Sequence, residues 1–207
     1  PWFRPVDTQV APDGAFYIAD FYNRIIGHYE VPLTHPGRDR ESGRIWRVKP
    51  KAAKTNEIAD FTKLHTEELI AMLGKQPTAQ AHMAWQTLAD QHTNEEEFPS
   101  SRYMALHGAL KDNASRTAKR TQALWALDRS APQGYYNKGQ ALSDSIELSK
   151  SGDVQLRREG VRSFNDGTYA PQEFAVDLGH VAADEDASVR RMYIQRLGQQ
   201  LWNDASP

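Results

Sequence analysis

Two periodicities divide this chain. Up to about Pro50, apolar and polar residues alternate in short runs; beyond it, apolar residues recur at helical spacing. Residues 6–10, 16–21 and 44–48 are strand candidates. Arg44-Ile45-Trp46-Arg47-Val48 alternates residue by residue, the pattern of a strand with one covered face. Pro12-Asp13-Gly14 predicts a tight turn between the first two strands, with proline preset for the first corner and glycine free to take φ > 0. A long excursion, 22–43, separates the second strand from the third, and loops of that length are usually functional or packed on a neighbour. Further on, Thr66-Glu67-Glu68-Leu69 reads as a cap with an acidic first turn. Pro77 opens a second helix. Further helices are predicted at about 98–111, 115–129, 137–149, 153–165, 171–184 and 187–203.

The helical part repeats a phrase. Asp153-Val154-Gln155-Leu156-Arg157-Arg158 and Asp186-Ala187-Ser188-Val189-Arg190-Arg191 each run from an acidic cap through a basic pair into an apolar stripe, and 114–127 is a looser version. The period is uneven and somewhat under that of HEAT and armadillo repeats. One helical hairpin cannot bury its apolar face alone, so neighbours stack. The predicted class is therefore mostly α: a HEAT-like α-solenoid of helical hairpins, preceded by a short antiparallel β segment resembling a terminal β-propeller blade. An irregular helical bundle fits the spacing as well. The divisions are 1–49 for the blade-like segment, 50–65 for a linker and 66–207 for the repeats. A single blade without siblings reads as part of something larger, since propellers have roughly 4–8.

Composition narrows the classes. A net charge of -2 gives no basic face for nucleic acid. No apolar stretch approaches a membrane span, and no signal peptide opens the sequence. Cysteine is absent, which excludes disulfides, thiolate metal sites and CxxCH haem attachment within these 207 residues. No nucleophile elbow, P-loop or dinucleotide fingerprint occurs.

Phe3-Arg4-Pro5-Val6-Asp7, 12–20, 22–29, 35–40 and Gly43-Arg44-Ile45-Trp46-Arg47 resemble, in close succession, the putative membrane-bound dehydrogenases of planctomycetes and verrucomicrobia. In that family a propeller related to glucose/sorbosone dehydrogenases precedes HEAT-like repeats and, usually, a c-type cytochrome module. The resemblance implies an exported, periplasmic or extracytoplasmic redox protein oxidising sugars or alcohols. Its parent chain would use pyrroloquinoline quinone and haem c, with no cofactor expected in the present residues. Partners would be the remaining propeller and cytochrome modules, or a protein on the solenoid face.

Candidate chemistry is sparse. Arg4 and Asp7 flank Pro5, where an arginine fork could hold a carboxylate of a quinone cofactor, or the two could tie neighbouring blades. His28, His35 and Asp39, with Glu41, could ligate a metal or form a base dyad; loop-fixing hydrogen bonds are the plainer role. Arg38 and Arg40 could recognise an anionic substrate, or fix the loop by pairing with neighbouring carboxylates or with the adjacent helical domain. Asp13 and Asp20 bracket the turn and second strand, but two isolated carboxylates make a poor calcium site, and turn capping explains Asp13. Trp85, Trp125 and Trp202 lie in apolar stripes and are expected in packing. The function expected is a structural joint between a catalytic propeller and a cytochrome module. The alternatives are a free-standing HEAT-type scaffold, and a metal or enzymatic site around His28, His35 and Asp39.

Overall fold

The computed structural model describes residues 3–25, 27, 30–90, 100–130, 138–164 and 171–205. The protein is mostly helical, with a three-stranded antiparallel sheet at its N-terminal end. It divides into two units. One comprises residues 1–59 with 76–80, the other residues 60–75 with 81–207.

In the first unit, β1 (Pro5–Val10), β2 (Phe16–Asp20) and β3 (Arg44–Val48) form a meander in the order β1-β2-β3. Val10, Phe16 and Val48 make one cross-strand row; Thr8, Ile18 and Trp46 make the next. A register shift between Pro5 and Asp7 bends the start of β1. The β1–β2 turn closes when Gly14 N donates to the Ala11 carbonyl at 2.9 Å, and Gly14 takes φ 82. A side chain there would also meet the Asn56 amide at 2.6 Å.

The burial in this unit reverses the usual pattern. The alternation in β3 predicted one covered face, yet all five of its residues are exposed, as are all six of β1. Val6 is 67% exposed and Ile45 70%. Among the described residues, the buried side chains here are Ala15 and four polar groups: Asp13, Asp20, Asn23 and Gln80. Each polar group gathers strands or loops. Asp20 accepts from Arg4 N, Tyr22 N and Trp46 Nε1 at 2.8–2.9 Å. Asp13 accepts from Ala15 N and from the Arg47 guanidinium. Asn23 accepts from Ile25 N and donates to the Asp39 carbonyl. Gln80 donates to the carbonyls of Pro12 and Glu57.

The second unit follows the common rule. A 3-10 turn (Phe61–Lys63) leads to α1 (Thr66–Met72), α2 (Thr78–Asp90), α3 (Ser100–Lys111) and α4 (Thr117–Ser130), then α5 (Lys138–Leu148), α6 (Val154–Ser163), α7 (Pro171–Leu178) and α8 (Ala187–Ala205). Helices pair in series, α3 with α4, α5 with α6 and α7 with α8, and successive pairs join through α4–α6 and α6–α8. This is the stacking that repeated hairpins need to bury their stripes. One apolar cluster runs from Phe61 to Leu156; another holds Val161, Phe164, Phe174, Leu178, Val181, Val189 and Tyr193.

The caps show how local chemistry sets boundaries. The cap of α1 is His65, one residue before the predicted Thr66: Glu68 reaches back to His65 N at 2.9 Å, and the Thr66 hydroxyl is taken by Arg102. Asp153 caps α6 and receives Gln155 N and Leu156 N. The predicted helix 171–184 is α only to Leu178 and tightens into a 3-10 turn over Gly179–Ala183. Trp202, expected in packing, is 75% exposed.

Gly160 is where α6 meets α5 closely. A Cβ there would lie 2.6 Å from Leu148 Cβ and 3.1 Å from Ser145 O and Ser149 N. Gly108, exposed on α3, has nothing within 4 Å of its Cβ direction. Thermal melts are expected to separate the two: Gly160→Ala destabilises by about 1–3 kcal/mol through overpacking, whereas Gly108→Ala stabilises by about 0.5–1 kcal/mol through helix propensity. Equal effects would contradict this packing.

Candidate functional site

Of the sequence-selected residues in the first unit, Arg4 and Asp20 lie at one end of the sheet and Asp13 at the other. Arg4 follows the chain into β1; its N–H and C=O are engaged by Asp20 and Phe21, while its Nε is buried without a partner. Asp7 is exposed and accepts from its own neighbour Thr8 N at 2.8 Å. Among the described residues the two side chains form no hydrogen bond or ion pair with each other. His35 Nδ1 accepts from Gly37 N at 3.0 Å, and Asp39 Oδ1 accepts from Glu41 N and Ser42 N. Bonds from the Ser42 side chain and from Glu41 N hold the Asp39 carboxyl below the usual range. His28 lies outside the described residues. Among the described residues no group of three His, Cys, Asp or Glu converges as a metal site.

The arginines of the long loop behave differently from expectation. Among the described residues, rather than pairing with carboxylates, Arg38 donates to the carbonyls of Gly27, Val31 and Pro32, and Arg40 donates to that of Leu33. They fix the loop by backbone recognition, which the sequence cannot signal because any residue supplies a carbonyl. Arg44 lies 3.6 Å over the Tyr22 ring. Between this loop and the sheet is an open cleft of about 860 Å³, with Val6, Ala19, Phe21, Leu33 and Ile45 on its apolar wall and Arg38, Arg40 and Arg44 on its rim.

Asp13 and Asp20 are turn and strand anchors. Asp13 is lowered first by the Ala15 N–H, then by Arg47 against the opposing pull of burial. For Asp20, burial pushes the carboxyl up, but Trp46, Arg4 and Tyr22 outweigh it and hold it low.

The helical unit contains polar groups that sequence reading missed. Asp144, fully buried on α5, accepts from Lys111 Nζ at 2.6 Å, His107 Nε2 at 3.1 Å and Gln140 Nε2 at 3.2 Å. Lys111 also reaches Glu147. Burial works to lower Lys111, but its two carboxylate partners prevail and raise it. These bonds join α3 to α5, as Thr117–Asp153 joins α4 to the cap of α6.

A second recess lies across α2, α4 and α6, lined by Trp85, Trp125, Asp128, Arg129, Glu159 and Arg162. The two indoles meet edge to face at 5.6 Å. Their N–H groups are spent on His82 Nδ1 and Glu159 Oε2, leaving ring surface as what they offer. Arg162 binds both Glu159 and Asp128, and Ser163 Oγ donates to Asp128 at 2.5 Å. Such a recess can bind side chains; it holds no nucleophile with an adjacent base. The i, i+34 spacing of Trp125–Glu159 and Asp128–Arg162 is the repeat itself, the one signal that could have revealed it.

With the geometry in view, comparison adds one family. Residues 1–52, about a quarter of the chain, match a family described as Domain of unknown function (DUF7133). No curated protein matches the chain. No solved structure matches it.

Burial pushes the Asp128 carboxyl up to about 6, against Ser163 and Arg162. An acid whose folded-state pKa is raised binds its proton more tightly when folded, so stability is lost as pH rises from about 4 to about 6. The penalty at neutral pH is about 3 kcal/mol. In melts from pH 7 to pH 4, the wild type is expected to gain on Asp128→Asn as the pH falls below 6. A pH-independent difference would contradict the raised pKa of this carboxyl.

Proposed function

We propose that this chain is a non-catalytic junction module of an exported sugar- or alcohol-dehydrogenase-like protein. The sheet would serve as the last blade of a β-propeller. The helical hairpins would hold a c-type cytochrome module relative to it. The observation that carries this reading is the sheet itself: the apolar residues of its outer strands β1 and β3 stand exposed, and its buried groups, Ala15 apart, are polar. A β unit so built suits a place between other sheets, as blades have on either side. The match to DUF7133 spans this sheet and its long loop, the same residues that carry the resemblance. No activity comes with that match.

In this reading pyrroloquinoline quinone and haem c belong to other parts of the parent. These 207 residues contain no cysteine for thioether attachment. The location would be periplasmic or extracytoplasmic. Among the described residues no helix is long and apolar enough to cross a membrane. The other modules of the parent are then the partners.

A second reading, a free-standing HEAT-type scaffold for protein partners, draws on the Trp85–Trp125 recess. Tryptophan and arginine are the residues that most often dominate binding surfaces.

Two experiments separate these readings. The open reading frame is expected to encode further blade-like repeats upstream and CxxCH downstream; a frame with neither refutes the junction. Ile45→Ser is expected to shift the stability of the present chain by less than about 0.5 kcal/mol, as exposed sites do. In the longer protein the same change should cost about 2 kcal/mol or more, because the side chain is then covered. Equal small effects in both would count against a covering surface.

A further inference from the structure

The loop–sheet cleft has unspent chemistry. Its wall is apolar and exposed: Val6, Leu33 and Ile45 are each more than three-fifths accessible. On its rim, the bonds of Arg38 use Nε and Nη2, that of Arg40 uses Nη2 and that of Arg44 uses Nη1, and every acceptor is a backbone carbonyl. Further N–H donors of Arg40 and Arg44 meet no acceptor among the described residues. The two carboxylates that line the cleft, Asp20 and Asp39, are already committed to backbone N–H groups. Three guanidiniums thus line an apolar cleft with backbone carbonyls as their hydrogen-bond acceptors; Arg44, over the Tyr22 ring, is also drawn to Asp20 and Asp39 through space but donates to neither.

We propose that this cleft docks an extended acidic segment of a partner polypeptide. Its apolar side chains would lie on Val6, Leu33 and Ile45, and its Asp or Glu carboxylates would be forked by Arg40 and Arg44. A carboxylate matches the planar guanidinium with two parallel hydrogen bonds, and desolvation by the apolar wall strengthens them. Alternating apolar and acidic residues on an extended strand place the two chemistries on opposite sides at a rise of about 3.3 Å per residue. This deepens the junction reading, since the surface covering the sheet would then be acidic at this end.

The test is fluorescence polarisation with the full 207-residue chain and three labelled eight-residue peptides. The first alternates valine and glutamate and has an amidated C-terminus. The second replaces glutamate by glutamine. The third is the glutamine peptide with a free C-terminal carboxylate. The first is expected to bind, to weaken several-fold between 50 and 200 mM salt, and to lose at least tenfold in affinity with Arg40→Gln/Arg44→Gln. Circular dichroism melts check that this variant stays folded, and Ile45→Asp on the wall, which adds a like charge, gives a second blocking variant. Equal binding of the glutamine peptide, preference for the free C-terminus, no binding of the first peptide at 1 mM, or indifference to both variants would overturn the proposal. If Ile45→Ser still separates the short chain from the long protein, such a failure removes the acidic partner and leaves the junction reading standing.

Discussion

The sheet at the start of this chain is held by buried carboxylates, because it has almost no apolar core to hold it. Ala15 is the one buried apolar side chain of that unit among the described residues. Asp20 draws in Arg4, Tyr22 and Trp46, and so ties β1, the start of the long loop and β3 to the end of β2. Asp13 does the same at the other end through Ala15 and Arg47. Hydrogen bonds to a charged acceptor are about twice as strong as neutral ones. They are directional, so they set strand register without requiring a covered face. Val10, Phe16, Trp46 and Val48 are left over for another surface.

The helical unit solves the opposite problem. Its stripes find partners in the next hairpin, and its polar groups then tie the hairpins: Asp144 with Lys111 and His107, Asp128 with Arg162 and Ser163, Asp153 with Thr117, Arg157 with Asp184. The same Asp-x-x-Val-Arg-Arg phrase that marks the repeats supplies caps and bridges. Asp153 and Asp186 cap α6 and α8, and Arg157 and Arg190 turn back to the segments before their helices. A row of second helices, α4, α6 and α8, therefore carries both the apolar seam and the recess at Trp125.

Strands and helices were legible because periodicity is local: β3 and α8 begin where alternation and the Asp186 cap place them. Burial of β3 was not legible, because alternation records that one face is apolar and not whether anything covers it. Likewise, Arg38 and Arg40 could be read as cations but not as carbonyl binders. The His65 cap was displaced from Thr66 by a glutamate three residues on and an arginine thirty-six residues away. Asp144, buried, and Asp128, half-buried, escaped notice because a carboxylate packed on a helix looks like any solvent-facing one until its neighbours are known.

If carboxylates rather than apolar contacts hold the sheet, amide hydrogen exchange across β1–β3 measures it directly. Asp20→Ala should abolish protection of these strands while the amides of α3–α6 stay protected. Val10→Ser/Val48→Ser, which alters an exposed apolar row, should leave sheet protection close to wild type. Intact protection in Asp20→Ala, or its loss in the double serine variant, would contradict the account.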